Sequence, residues 1–308
     1  MKHKNRLPER HMNILQNVLY RILYAIVRLL AFLPVRLLRL KAHASAFVAG
    51  RILRYRYSVV IQNMSRAFPE KNYKEIKGLA REFYRHFFEI FFEVIKTAGM
   101  SPGQAAKRIV PSNPELLTEL HSKGYNTIVL GGHLGNWELL SDMPLHFHFS
   151  IYTLYKPLSS PIAEKLMLRI RSHFGLKLLP MQKAGRFILG KKDFPAVYLF
   201  VGDQSPTHKD PEYCFHFLQQ PSFFFNGAAR LALATGSAVL YYSMRREKPG
   251  YYSVTYKPIA LPEDKLSERE ILERYVKYLE EDIRKDPAHW LWSHRRWKNR
   301  PEQGKASS

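Results

Sequence analysis

Apolar residues follow two different periods along this chain, and each predicts its own kind of element. Residues 14–33 are almost continuously apolar, broken by Asn17, Arg21 and Arg28. Those three fall on one face of a helix, and Pro34 ends or bends it. Residues 70–96 mix charged and apolar positions at helical spacing. They close on Phe83, Tyr84, Phe87, Phe88, Phe91 and Phe92, so they predict one long helix with its aromatic side toward the core. Short apolar runs predict buried strands at Thr127–Leu130, Ile151–Tyr155, Leu176–Leu179 and Ala196–Val201. Further strands are predicted over 212–218, 237–245 and 251–257. Helices are predicted after the strand at 127–130, then at 161–174, 183–190, 226–235 and 267–285. Strands alternating with helices imply an α/β fold, with a central mostly parallel sheet flanked by helices and an N-terminal membrane-associated helix. Polar residues at the C-terminal ends of such strands mark the expected site, and His133, Lys156 and Asp203 all fall there.

Charge changes the picture at the N-terminus. The chain of 308 residues carries a net charge of +22, a field that draws it toward an anionic partner, whether nucleic acid, membrane or carrier. Glu9 is the only acid in residues 1–60. Two arginines at mid-bilayer depth are costly, and a helix lying in the interface avoids that cost. Spanning and lying flat both remain open, as does a soluble helix docked on the core. The run lacks a nearby cleavage site and carries arginine, so it does not read as a removable signal peptide. Cys214 is the single cysteine. It permits no intrachain disulfide and no cysteine zinc cluster, and reads as a buried structural thiol. The histidines lack partners at ligand spacing, so no metal is expected.

The strongest chemical signal is Gly131-Gly132-His133-Leu134-Gly135-Asn136-Trp137-Glu138, directly after a predicted strand. The glycines allow a sharp turn. A histidine able to take a proton, oriented by Glu138 across the turn, would activate a hydroxyl nucleophile. Asn136 reads as a helix cap and Trp137 as core. Asp203-Gln204 at a later strand end is a second candidate. Lys156 offers a positive charge for a phosphate or an oxyanion. Phe223-Phe224-Phe225 is either core or the wall of an acyl-chain pocket. In His289-Trp290-Leu291-Trp292-Ser293-His294-Arg295-Arg296-Trp297-Lys298, tryptophans interleave with basic groups. That pattern suits a lid at a lipid surface, or a nucleic-acid patch.

From about residue 58 to 300 the chain resembles the late acyltransferases of lipid A biosynthesis, within the lysophospholipid acyltransferase-like superfamily. The resemblance rests on Asn63-Met64-Ser65-Arg66-Ala67-Phe68-Pro69-Glu70, the Gly132–Glu138 block and Tyr155-Lys156-Pro157-Leu158 with Arg169-Ile170-Arg171. Asp203-Gln204, Asn226–Ala232 and Trp290–Trp297 complete the ordered set. It implies a basic membrane-anchoring segment (1–57), an acyltransferase domain (58–300) and a polar tail (301–308). It also implies transfer of a fatty acyl group from acyl carrier protein to a hydroxyl of a lipid A precursor, at the cytoplasmic face of the inner membrane. His133 would be the general base and Glu138 its orienting acid. Lys156, Asp203, Gln204, Asn226 and Arg230 would contact substrate. No cofactor is needed beyond the acyl-carrier donor. The expected partners are the carrier, a phosphorylated lipid acceptor and an anionic membrane surface, rather than nucleic acid. The acceptor alternatives are a lysophospholipid or an amino-acid lipid. Many members carry arginine where this chain has Lys156, and the segment Phe217–Pro221 lacks the glycine often found there.

Overall fold

The computed structural model describes residues 12–190 and 195–298; the tail at 301–308 lies outside the described residues. The strands are β1 (Ile109–Pro111), β2 (Thr127–Gly131), β3 (Ile151–Tyr155), β4 (Lys177–Pro180) and β5 (Val197–Val201). They continue with β6 (Cys214–Phe217), β7 (Gln220–Phe223), β8 (Ala238–Lys248) and β9 (Tyr251–Ala260). Seven of them form one sheet in the order β1-β9-β8-β2-β5-β3-β4. All neighbours run parallel except β8 and β9, which form a hairpin closed at Gly250, where φ is +79°.

The helices are α1 (Ile14–Phe32), α2 (Val35–Phe47), α3 (Tyr57–Ala67), α4 (Tyr73–Thr97) and α5 (Pro102–Ala106). They continue with α6 (Pro114–Ser122), α7 (Pro161–Arg171), α8 (Met181–Gly190), α9 (Gly227–Thr235) and α10 (Glu268–Lys285). A π-helical turn, Val48–Ile52, follows α2. The long helix expected over 70–96 starts at a reciprocal cap, Asn72 with Glu75.

Alternation along the strands builds a core on each side of the sheet. Ile128 and Leu130 of β2, with Tyr198 of β5 and Tyr241 of β8, pack toward helices including α4, α9 and α10. Val129, Leu199, Leu240 and Tyr242 face the other way, against α6 and the segment after β2.

Two local expectations are corrected. The segment after β2 is a 3-10 helix, Trp137–Leu145, with Pro144 inside it, and proline there removes an α-helical donor. The strand expected over 212–218 lies outside the main sheet. Its β6–β7 hairpin turns on Leu218 and Gln219, at φ of +49° and +60°. Glycine or asparagine usually fills such positions. Here Leu218 is fully buried, and its amide donates to Glu280 Oε2 at 3.0 Å, so side-chain packing and one charged acceptor hold the turn.

The N-terminal helix is turned inside out for a water-soluble protein. Asn17 and Arg28 face inward: Lys165 of α7 donates to Asn17 at 3.2 Å, and Arg28 donates to the Ala98 carbonyl. Lys96 caps the far end through the Ala31 and Leu33 carbonyls. Ile14, Leu15, Leu29 and Phe32 point outward and are at least two-thirds exposed. At 19 residues α1 is long and apolar enough to cross a bilayer. A soluble helix would dock its apolar face on the core; here Asn17 and Arg28 of the polar face dock while Arg21 stays exposed.

Candidate active site

β2 and β5 are parallel neighbours with Gly131 opposite Val201. Two residues beyond each strand end, His133 and Asp203 therefore meet. His133 Nδ1 lies 2.6 Å from Asp203 Oδ1, and the His133 amide donates to Asp203 Oδ2 at 2.8 Å. Trp290 Nε1 donates to the same Oδ2 at 2.7 Å. Burial by itself would push this acid up. The positive potential of His133 and these hydrogen bonds outweigh it and hold Asp203 down to about 2. An ionised carboxylate only accepts, so Nδ1 carries a proton toward Asp203 and Nε2 is the ring nitrogen turned away from the acid. Nε2 points toward Gln204, whose amide nitrogen lies 3.4 Å away.

Glu138 was expected on the imidazole, and the structure puts Asp203 there instead. Glu138 starts the 3-10 helix and is taken by Arg171 of α7, whose Nε and Nη2 donate to its two oxygens at 2.8 and 2.6 Å. Burial lowers the Arg171 pKa, but the attached carboxylate more than offsets this and leaves it raised. Trp137 links Glu138 to His133. The Trp137 indole donates to Glu138 at 3.2 Å, and its ring stands edge-on to the imidazole at 4.9 Å between centroids.

The turn carrying His133 is fastened on every side. Tyr275 and Tyr242 hydroxyls donate to the Gly131 and Gly132 carbonyls. His86 Nε2 sits 3.0 Å from the Gly135 carbonyl, and the Leu291 amide donates to the His133 carbonyl. Gly135, at φ +65°, supplies the turn itself. Gly131 and Gly132 serve closeness instead. A Cβ on Gly131 would fall 2.1 Å from the Tyr242 ring, and one on Gly132 would fall 2.5 Å from Leu279. The His133 and Gly135 amides are already donated, to Asp203 and to the His289 carbonyl. Neither is left for an oxyanion.

Other candidates divide. Lys156 stands exposed just past β3, one strand beyond β5. Asn226 and Arg230 bind Glu268, at 2.9 and 3.6 Å, together with the Tyr213 hydroxyl. They tie α9 to α10 and contact no member of the His133 group. Asn136 does not cap a helix; its Nδ2 donates to Glu93, which is mostly but not fully buried, at 2.7 Å. The tryptophan tract is no surface patch: Trp290, Trp292 and Trp297 are all buried. Arg296 is buried with them, stacked 4.5 Å from the Phe224 ring and donating to the Phe223 carbonyl. Phe223 and Phe224 are core, while Phe225 is partly exposed. Among the described residues no cluster of histidine, cysteine and acids could hold a metal.

Sequence reasoning missed the pairing of Arg171 with Glu138 and the contact of Trp290 with Asp203. Both residues stand in the motifs quoted above; their partners lie 33 and 87 positions away, and no local spacing reports that.

The sequence profile described as "Bacterial lipid A biosynthesis acyltransferase" matches residues 8–299. The chain is 22% identical over 257 residues to "Lipid A biosynthesis palmitoleoyltransferase" of Escherichia coli K12, covering 82% of each chain. It matches "Lipid A biosynthesis acyltransferase" of Shigella flexneri to the same extent. A solved structure of the 1-acyl-sn-glycerophosphate acyltransferase from Thermotoga maritima aligns with 83% of this chain and 99% of its own, at 13% identity and a TM-score of 0.37.

Proposed function

The chain belongs to the bacterial lipid A biosynthesis acyltransferases, and from that premise we propose that it acylates a hydroxyl of a phosphorylated lipid A precursor, with acyl carrier protein thioester as donor. His133 Nε2 takes the proton of the acceptor hydroxyl. That oxygen attacks the thioester carbonyl, and the tetrahedral intermediate collapses with cleavage of the C–S bond. The proton held on Nε2 passes to the departing sulfur, which leaves as the carrier thiol. Asp203 fixes the imidazole tautomer and stabilises the imidazolium formed on the way. The Gln204 amide, beside Nε2, is the donor for the developing oxyanion. Glu138 and Arg171 set the position of Trp137 and thereby one wall of the imidazole. No covalent enzyme intermediate is required.

The observation that carries this reading is the 2.6 Å contact between His133 Nδ1 and a fully buried Asp203 at the mouth of two parallel strands. The outward apolar face of α1 supports a membrane-bound enzyme, which we assign to the cytoplasmic face of the inner membrane, where carrier protein and lipid precursor meet. The test is incubation of purified protein in detergent with acyl-loaded carrier protein and a panel of acceptors, with product masses measured. A lipid A precursor gaining one acyl chain is the expected result. Acylation of a lysophospholipid or an amino-acid lipid alone would overturn the acceptor assignment.

A further inference from the structure

A cavity of about 620 Å³ lies between α2 with its π-helical turn and the first half of α4. It shares no residue with the His133 group. Arg51, Arg54, Lys77, Arg81 and Arg85 line it, and none of the five is in an ion pair among the described residues. The lining contains no acid. Glu89, which holds the lining residue His43 at 2.7 Å, is already shared with Arg39 and Arg246. Five cations around one concave space repel one another unless an anion sits among them.

The backbone around the cavity is irregular in ways that aim these groups. The π-helical turn inserts an extra residue per turn, a feature concentrated at functional sites. Arg54 and Arg56 both sit in left-handed backbone, each at φ +49°, a strained conformation for residues other than glycine. Gly50 packs so tightly on Tyr84 that a Cβ would lie 2.9 Å from its ring. The Tyr84 hydroxyl in turn donates to the Tyr55 carbonyl at 2.5 Å and holds the turn.

The cavity also borders an apolar surface. Phe47 lines it and is 60% exposed, and Ile52 and Leu53, next in the chain to Arg51, are exposed too. Tyr57 and Tyr73 add aromatic rings with polar tips to the lining, a residue type suited to the membrane interface. The volume falls within the range of small-molecule sites, roughly 300–1,000 Å³. A partly open pocket of that size, beside the exposed Phe47, Ile52 and Leu53, fits a headgroup whose apolar tails continue along that rim.

We propose that this cavity binds the phosphorylated headgroup of a membrane lipid, with several guanidinium groups on the phosphate oxygens and the lipid tails along Phe47, Ile52 and Leu53. Guanidinium forks match phosphate oxygens two at a time. This goes beyond the acyl-transfer reading and does not need it, because the cavity would hold a lipid whether or not His133 does chemistry.

The test measures binding of full-length protein to phosphatidylcholine vesicles with and without phosphatidic acid, with no acyl donor present. Wild type is compared with Arg51→Gln/Arg54→Gln/Arg81→Gln and with a control of equal charge loss, Lys123→Gln/Lys209→Gln/Lys277→Gln, all three verified as folded by circular dichroism. The proposal expects the cavity variant to lose at least tenfold of the phosphatidic-acid-dependent affinity and the control to lose under threefold. It also expects inorganic phosphate to compete only at far higher concentration than the lipid. Equal losses in both variants would show general surface attraction and overturn the site. Inorganic phosphate binding as tightly as the lipid would assign the cavity to a free anion and overturn the headgroup. A cavity variant that does not fold is replaced by the single reversal Arg81→Glu, judged by the same thresholds.

Discussion

Asp203 is the residue on which the site's electrostatics turn. Its carboxylate accepts from His133 twice and from Trp290 once, so Asp203→Asn removes the charge, misplaces the imidazole tautomer and leaves a donor facing donors. We expect transfer to fall about 10²–10⁴-fold, read as kcat on the acyl-carrier donor. Glu138 behaves differently. In Glu138→Gln the Arg171 guanidinium loses its bidentate partner, and stability should drop by about 1–3 kcal/mol, less than for a fully buried pair. Adding Arg171→Gln should restore most of the melting temperature without restoring activity, a coupling visible in a double-mutant cycle. Asp142 gives a pH signature. It is fully buried, and burial raises it from 3.8 to about 6 against a hydrogen bond from Ser141. The folded state thus holds this proton more tightly than the unfolded state, so stability is lost as pH rises from about 4 to about 6. Asp142→Asn should raise the melting temperature at pH 7 and leave it unchanged at pH 4. Identities at this scale were legible in the chain, but pairings were not. His133 and Asp203 both stood out at strand ends. Which acid meets the imidazole depended on β5 lying beside β2, a fact of sheet order that local spacing does not carry.

At the scale of elements, helical period marked the helices and short continuous apolar runs marked strands buried on both faces. The long helix α4, strands β2, β3 and β5 and helix α10 lie close to where the pattern put them. The departures have particular causes. Proline within the segment after β2 accompanies a tighter 3-10 helix. The β6–β7 turn uses Leu218 and Gln219 instead of glycine because packing and Glu280 hold them there, and only the folded chain shows that. The tryptophan tract read as surface because its basic residues suggested solvent; its rings fill core and its Arg296 is stacked inside. Helix α1 yields a prediction of its own. Since Ile22, Leu29 and Phe32 face outward, changing all three to serine should cost little folding stability. Vesicle partitioning should weaken on the order of 100-fold or more, as expected when roughly 1 kcal/mol of apolar burial is lost for each of the side chains changed. Circular dichroism melting and vesicle co-sedimentation separate the two effects.

Across the whole molecule, basic charge and apolar exposure gather at the N-terminal side while the reacting groups sit at the strand ends. Helix α7 joins the two regions: Lys165 and Arg169 stack on Tyr20 and Tyr24 of α1, and Arg171 grips Glu138. The helix with the outward apolar face is thereby connected to the wall of the imidazole. A net charge of +22 attracts anionic partners over a long range, so association with the carrier and membrane proposed above should weaken with salt. The central claim is that His133 performs the proton transfer. Its most direct test is the rate of acyl transfer from loaded carrier protein to a lipid A precursor, for wild type beside His133→Ala of matched melting temperature. The account predicts a singly acylated product from wild type and none above background from His133→Ala. Transfer by the folded variant at the wild-type rate would contradict it.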